Sequence, residues 1–252
     1  MPIPTLILLG FAGILAGFID SIAGGGGIIT VPALLSAGLP PHLALGTNKL
    51  QSSFGSFTAT LRYRRNRLVR IRRTVWGIVF TALGAAIGTL TIQHISPDFL
   101  QKAIPLFLLA VFLYMLLSPK AGSQRSRARL SPLIFYMLMG LSIGFYDGFF
   151  GPGTGSFWTV AFVVLLGHEL KEATAHTKVM NFTSNAVSLA AFALGGHVVL
   201  IPGLVMGVGE VIGAGLGSHL VIRRGVGFIR GFFLTVVAVT MARLLYVTYF
   251  SP

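Results

Sequence analysis

The chain of 252 residues contains no cysteine and very few acidic residues. The absence of cysteine excludes disulfide bonds and zinc sites built on thiolates. Six Asp and Glu residues stand against 19 Lys and Arg residues, so the formal net charge is +13. Charged residues make up only 10% of the chain, hydrophobic residues make up 54%, and the mean hydropathy is +0.83. A water-soluble core of this size cannot bury so much apolar surface, which indicates a membrane protein.

Several apolar runs have about the length that a bilayer-spanning helix needs. These runs cover residues 5–23, 74–93, 99–118, 132–150, 200–222 and 226–248. Shorter apolar segments lie at 28–38, 50–61, 156–167 and 179–194. The first run lacks a basic leader and a cleavage site, so we expect a permanent span and not a signal peptide. The pattern predicts an all-α, polytopic membrane protein.

An internal duplication covers nearly the whole chain. The stretch from Gly17 to Gly27 recurs from Gly144 to Thr154, and each copy places one aspartate before a cluster of glycines. Two further matches are Ala44–Lys49 with Ala173–Lys178, and Gly84–Gly88 with Gly209–Gly213. We therefore predict a first membrane repeat at 1–120, a basic linker at 121–131 and a second membrane repeat at 132–252.

The basic residues are concentrated beside apolar spans. Seven arginines lie within 62–73, and four more Lys and Arg residues lie within 120–129. By the positive-inside rule both loops are expected in the cytoplasm. The second-repeat counterpart of the arginine loop, 195–198, has no Lys or Arg. Equivalent loops are thus expected on opposite sides of the membrane, which predicts two inverted-topology repeats. The arginines have no interleaved aromatic residue beyond Tyr63 and no separate domain to carry them, so no nucleic-acid partner is expected.

The paired glycine clusters indicate a substrate site. Gly24–Gly27 and the segment Gly151–Gly155 should interrupt their helices and leave backbone amides uncovered. In a membrane such broken or re-entrant helices must be buried in protein or line a wet cavity. A helix that begins after each cluster would point its positive end at an anion. The alternative is that the glycines only allow close helix packing.

Polar residues follow each glycine cluster at matched positions. Lys49 comes after Thr47 and Asn48, and Lys178 comes after His176 and Thr177. Amide and hydroxyl residues, Asn181 among them, follow each lysine. An ammonium group with neutral donors suits an oxyanion, although each lysine could instead extend to the membrane interface.

Three acidic residues fall within apolar runs, where ionisable groups are costly and usually functional. Asp20 and Asp147 are repeat equivalents, while the counterpart of Glu210 is Ala85. Each aspartate either neutralises the lysine of its own repeat or carries a proton during transport. Because Glu210 occurs in one repeat only, it is a more specific candidate for proton coupling than the aspartates. The alternative is that it is a polar residue that contacts a neighbouring helix.

Strong enzyme motifs are absent from the sequence. The glycine runs lack the Lys-Ser/Thr ending of a phosphate loop and the context of a dinucleotide fingerprint. The six histidines never take HExxH spacing, so a metal site would need ligands from distant segments. We expect no enzyme activity, no cofactor and no metal.

The duplicated motifs strongly resemble those of the TauE/SafE sulfite exporter family. The first is Gly-Phe-Ile-Asp with four glycines after it, the second is Gly-Phe-Tyr-Asp with Gly-Pro-Gly-Thr-Gly after it, and a segment with a lysine follows each. The resemblance covers essentially the full length. It implies a helical permease that moves sulfite or organosulfonates. With the residue patterns, it designates these substrate-binding candidates: Gly24, Gly25, Gly26, Gly27, Asn48, Lys49, Gly151, Gly153, Gly155, His176, Lys178 and Asn181.

These observations and the resemblance together predict a secondary transporter of the bacterial inner membrane for a small sulfur-containing anion. Its site is expected between the two glycine breaks, and the proton is the candidate coupling ion. The alternatives are an anion channel and a membrane-embedded enzyme. A channel would conduct without a fixed counter-ion stoichiometry, and an enzyme would change the anion chemically.

The arginine distribution makes the topology testable. A cysteine introduced at Asn66 or at Gly196 would be the only thiol of the chain. Because the arginine loop is expected in the cytoplasm, Asn66→Cys should resist an impermeant thiol reagent in intact cells, whereas Gly196→Cys should react. Labelling of both variants from the same side would disprove the inverted repeat.

Overall fold

In a computed structural model that describes residues 1–117 and 127–224, these residues form nine α-helices and one short 3-10 helix at Ile71–Arg73. The helices are α1 Ile3–Ala23, α2 Gly27–Ser36, α3 Pro41–Arg65, α4 Val75–Gln93, α5 Pro97–Leu117, α6 Pro132–Phe149, α7 Thr154–Leu166, α8 Leu170–Leu194 and α9 Leu200–Arg224. The all-α, polytopic membrane architecture expected from the sequence is confirmed.

Five helices, α1, α4, α5, α6 and α9, are long and apolar enough to cross a membrane. They coincide with five of the six long apolar runs, and the run at 226–248 lies outside the described residues. Their large apolar side chains remain exposed on the outer surface, as at Phe11, Trp76 and Leu216. An exposed apolar belt is what contact with lipid requires.

The short segments at 50–61 and 179–194 are parts of longer helices. α3 and α8 each contain 25 residues, which corresponds to about 37 Å at 1.5 Å per residue. Hydropathy missed their first turns because polar residues such as Asn48, Lys49 and Lys178 lie inside them. These residues are buried, so α3 and α8 form the polar centre of the bundle. α2 and α7, with 10 and 13 residues, are too short to cross.

The helices of the two halves follow the same order, and the halves pack into each other. α1 lies against α9, where Gly13 and Gly17 face the backbone of Met206 and Glu210. α6 lies against α4, where Gly144 faces the backbone of Thr81. The duplicated segments Gly84–Gly88 and Gly209–Gly213 provide the other side of these crossings. Small residues spaced by four let membrane helices approach closely, so this sequence match marks two helix crossings.

The connecting segments gather at the two ends of α3. At its C-terminal end, Leu68 and Val69 pack in one apolar cluster with Leu130 and Leu170. The arginine loop, the described end of the basic linker and the α7–α8 turn therefore share one end of the bundle. At the beginning of α3, the ring of His42 lies 5.1 Å from that of His197. The loop 195–199 is thus at the opposite end from the arginine loop.

Candidate functional site

A polar cavity lies where the two glycine breaks meet. It is small and opens at one side, and its free space reaches about 340 Å³ only when the solvent at the open mouth is counted. Its wall contains both aspartates, glycines of both breaks and polar side chains of both central helices. The lining residues are Asp20, Gly25, Gly26, Gly27, Asn48, Ser52, Asp147, Gly151, Gly153, Thr154, Gly155, Asn181 and Asn185. Residues predicted from two distant sequence segments are thus brought together.

The breaks form because glycine permits backbone conformations that other residues avoid. α1 ends at Gly24, with φ of 71°, and α7 begins after Gly153, with φ of 83°. The two breaks also touch, since a Cβ on Gly24 would lie 2.5 Å from Cα of Gly155. The hydroxyl of Ser156 donates to the carbonyl of Gly24 over 2.9 Å. Side chains at these glycines would separate the breaks, so glycine is needed for both the turn and the approach.

Two buried ion pairs flank the cavity, and each joins the two halves. Lys49 Nζ lies 2.7 Å from Asp147 Oδ1, and Lys178 Nζ lies 2.8 Å from Asp20 Oδ2. The interpretation that each aspartate neutralises the lysine of its own half was wrong in the choice of partner. The glycine breaks bring the end of α1 to α8 and the end of α6 to α3, so the nearest cation belongs to the other half.

Both aspartates also accept hydrogen bonds from groups other than the lysines. Asp147 also accepts from the hydroxyl of Ser184, and its backbone carbonyl accepts from Lys49. Asp20 Oδ1 accepts from the backbone amides of Gly25 and Gly26, at 3.2 Å and 3.4 Å. A buried charge is tolerated when it is paired and its remaining lone pairs are satisfied. These contacts connect each aspartate to the central helices and hold the breaks in position.

The two lysines are not part of the cavity wall. The side chains of Lys49 and Lys178 are 1% and 0% exposed, whereas that of Asp20 is 20% exposed. The two carboxylates therefore line the cavity while each is paired with a buried lysine behind it. Because two cations balance two anions, the wall carries no net charge from these four groups.

Asn48 is oriented as a donor toward the cavity. Its side-chain oxygen accepts from Thr30 Oγ1 over 2.6 Å and from Gln51 Nε2 over 2.8 Å. Since both lone pairs of the oxygen are used, the amide nitrogen remains for the cavity side. Thr30 and Gln51 do not line the cavity, so they act by positioning Asn48.

Asn181 and its neighbours supply the second polar wall. Asn181 is 5% exposed, and its Oδ1 has no hydrogen-bond partner within the described part of the chain. Its Nδ2 lies 3.1 Å from the position that a Cβ on Gly155 would take. One turn later Asn185 donates to Ser56 over 3.5 Å. The unpaired oxygen is buried and can only accept, so the amide nitrogen is the group of Asn181 that can donate to an anionic ligand at this wall.

Two helix amino termini also face the cavity. α2 begins at Gly27 and α7 begins at Thr154, and both residues line the wall. Several of their first amides donate within the turn, such as Ile28 to the carbonyl of Gly25 and Ser156 to that of Gly153, so the two termini contribute mainly the partial positive charge of a helix end. With neutral amide donors beside them, they make the cavity chemically suited to a small oxyanion.

Besides the two lysines, three residues predicted for the site or for its coupling lie off the cavity wall. His176 is grouped with His168 and Glu172 near the α7–α8 turn. Glu210 is buried on α9, where its carboxylate contacts Gly55 and lies 2.9 Å from the Cβ position of Gly17. Gly24 packs against Gly155 and is not on the wall.

Sequence reasoning left some lining residues outside the list of candidates. Ser52 lies four residues after Asn48, and Asn185 lies four residues after Asn181. Residues four apart share one helix face, so extending the helical spacing would have found both. Thr30 and Ser184 act as supports, and only the fold reveals their partners.

Comparison with known proteins adds independent information. The family model described as "Sulfite exporter TauE/SafE" matches residues 9–244. A "Probable membrane transporter protein" of Haemophilus influenzae is 46% identical over 244 residues, covering 97% of this chain and 96% of that protein. "Probable membrane transporter protein YfcA" of Escherichia coli K12 is also 46% identical over 244 residues, covering 96% and 91%. The corresponding ORF9 protein of Sinorhizobium is 44% identical over 237 residues, covering 94% and 90%. This is a family of membrane transporters and not of enzymes.

The crossed ion pairs can be tested with a double-mutant cycle. Lys49→Gln and Asp147→Asn should each lower the unfolding free energy by about 3–5 kcal/mol, because each leaves an uncompensated buried charge. The double variant should be less destabilised than the sum, with a coupling energy of about 0.5–3 kcal/mol. Denaturant titration in detergent micelles measures these values.

The matched control combines Lys49→Gln with Asp20→Asn, the aspartate of the same half. These two changes should be additive within about 0.5 kcal/mol. Coupling of Lys49 to Asp20, with none to Asp147, would contradict the exchange of partners between halves.

Proposed function

Because the chain belongs to the sulfite exporter TauE/SafE family, we propose that it is a secondary transporter for a small sulfur-containing anion, such as sulfite or an organosulfonate. The membrane is the bacterial inner membrane, in keeping with the bacterial relatives and the arginine-rich loop. The substrate site is the cavity between the two glycine breaks.

The observation that carries this proposal is the combination of two helix amino termini with neutral amide groups around one cavity. The starts of α2 and α7 supply partial positive charge, and Asn48 and Asn181 supply side-chain amides. A small oxyanion needs donors directed inward from several sides, and this wall provides them from both halves.

The ion pairs make the cavity compatible with an anion. Unpaired, Asp20 and Asp147 would repel a negative substrate. Paired with Lys178 and Lys49, they hold the breaks in place without adding net charge. We propose that the lysines support substrate binding through the aspartates.

The arrangement of the loops supports an inverted repeat. Loop 195–199 lies at the beginning of α3, and the arginine loop lies at its end. With residues 62–73 and 120–129 in the cytoplasm, equivalent loops of the two repeats would face opposite compartments. Rocking of one repeat against the other could then expose a central site alternately to each side.

Transport assays can test the proposed function directly. The protein reconstituted in liposomes should take up labelled sulfite or a sulfonate under an imposed pH gradient, with sulfate and thiosulfate as comparison anions. A transporter should also exchange external for internal substrate without a gradient. Current without exchange would indicate a channel, and conversion of the anion would indicate an enzyme.

Asn181 provides a specific test of the binding site. Asn181→Ala should weaken substrate binding by about 1.5–3 kcal/mol, roughly 10- to 150-fold in Kd, because it removes a hydrogen bond to a charged ligand. Asn66→Ala is the matched control, since Asn66 is exposed at the end of α3. Titration with sulfite in detergent measures the affinity, and unchanged affinity in Asn181→Ala would remove this residue from the site.

We further propose that Glu210 couples transport to protons. Its carboxylate is buried against α1 and α3 and accepts no hydrogen bond from the described residues. The charged groups that act on it are Asp20 on α1 and Lys178 on α8. A second carboxylate beside one ion pair would compete for its single lysine, so protonation of Glu210 leaves the Asp20–Lys178 pair intact.

The other ion pair has no such acid. Ala85, the counterpart of Glu210, lies on α4 against Gly148 near the Lys49–Asp147 pair. Loss or gain of one proton would therefore perturb only one of two otherwise matched pairs. This asymmetry supports Glu210 as the coupling group.

Glu210→Gln should keep substrate exchange but lose the acceleration of transport by a pH gradient. Glutamine preserves the shape of the side chain and cannot release a proton. Glu169→Gln is the control, because Glu169 is exposed at the start of α8. Flux through liposomes with and without a pH gradient measures the response. An unchanged response in Glu210→Gln would eliminate it as the coupling group.

A further inference from the structure

We propose that His168, Glu172 and His176 form a binding site for a divalent transition-metal ion, with Zn²⁺ preferred. The three side chains each offer a ligand atom, and these atoms lie within 4.8 Å of one another. Imidazole and carboxylate groups are common ligands of Zn²⁺. The site lies at the α7–α8 turn and shares no residue with the wall of the transport cavity.

The spacing places the three ligands along one side of the chain. His168 lies in the turn before α8, and Glu172 and His176 follow at intervals of four residues on the helix. Ligand atoms of tetrahedral zinc lie roughly 3.3–3.6 Å apart, given bonds of 2.0–2.2 Å. Binding of an ion would have to draw the three atoms from the present separations of up to 4.8 Å to that spacing. The sequence predicted that metal ligands would have to come from distant segments, because no pair of histidines has HExxH spacing. The cluster instead lies within one segment of nine residues, 168–176.

The ring of His176 is already oriented for ligation. Its Nδ1 lies 2.9 Å from the backbone carbonyl of Glu172, to which it donates. Because the proton is then on Nδ1, Nε2 carries the free lone pair that a metal requires. A carbonyl partner of this kind is the usual outer-shell support of a metal-binding histidine.

Aromatic contacts hold the two imidazoles together. The rings of His168 and His176 lie 4.8 Å apart between centroids. Phe162 of α7 stacks on His168 with an interplanar angle of 15° and lies 5.5 Å from His176. An ion here would connect the turn to the first two turns of α8, with Phe162 shielding one side.

Metal titration of the full chain tests this proposal. The protein is purified in detergent through a tag without histidine, stripped with a chelator and titrated with Zn²⁺ by calorimetry. We expect one equivalent of Zn²⁺ to bind and to raise the unfolding temperature, because an ion that binds only the folded state stabilises it. Co²⁺ should give the absorption bands of a tetrahedral site.

Two variants distinguish a specific site from scattered binding. His168→Gln and Glu172→Gln should each weaken Zn²⁺ binding at least about 10-fold, the loss that even outer-shell changes cause. Both residues are partly exposed, so the variants should fold, which size-exclusion chromatography checks. His94→Gln and Glu169→Gln replace exposed residues outside the cluster and should bind as the unmodified chain does. Absence of stoichiometric binding in the unmodified chain, or undiminished binding in both cluster variants, would overturn the proposal.

Discussion

The structure depends on the pairing of buried charges across the two halves. Asp20 and Asp147 end up inside a membrane bundle, where an isolated carboxylate would cost several kcal/mol. Each finds its cation on the central helix of the other half, Lys178 on α8 and Lys49 on α3. Since the cation that pairs with each aspartate comes from the other half, the ion pairs connect the halves and fix the position of both glycine breaks.

Glycine makes this exchange of partners possible. Gly24 and Gly155 allow the two breaks to touch, and glycines on α1, α4, α6 and α9 allow the long helices to cross closely. The same residues that let α1 and α6 end near the centre also uncover the starts of α2 and α7. Close packing and the proposed anion recognition are therefore not competing explanations of the glycine clusters, since one backbone geometry is suited to both.

Two features that occur in only one half are the candidates for proton coupling and for metal binding. The two ion pairs are matched, but only the Asp20–Lys178 pair has a further acid, Glu210, beside it. In the described residues the His168–Glu172–His176 cluster also occurs once, since Gly38–Leu39 precede α3 where Gly167 and His168 precede α8. The proposed coupling site and the proposed metal site are therefore features of one half only.

The sequence by itself determined the membrane environment, five spans, the two glycine breaks and most of the cavity wall. These properties follow from composition and local pattern, because a bilayer selects apolar length and a broken helix needs glycine. The tertiary structure decided the length of α3 and α8, the partners of Lys49 and Lys178 and the separation of His176 from the cavity. Hydropathy averages hide buried polar turns, and a charge pairs with the nearest opposite charge in space. Which charge is nearest depends on how the two halves cross, and the local sequence of either half does not determine that crossing.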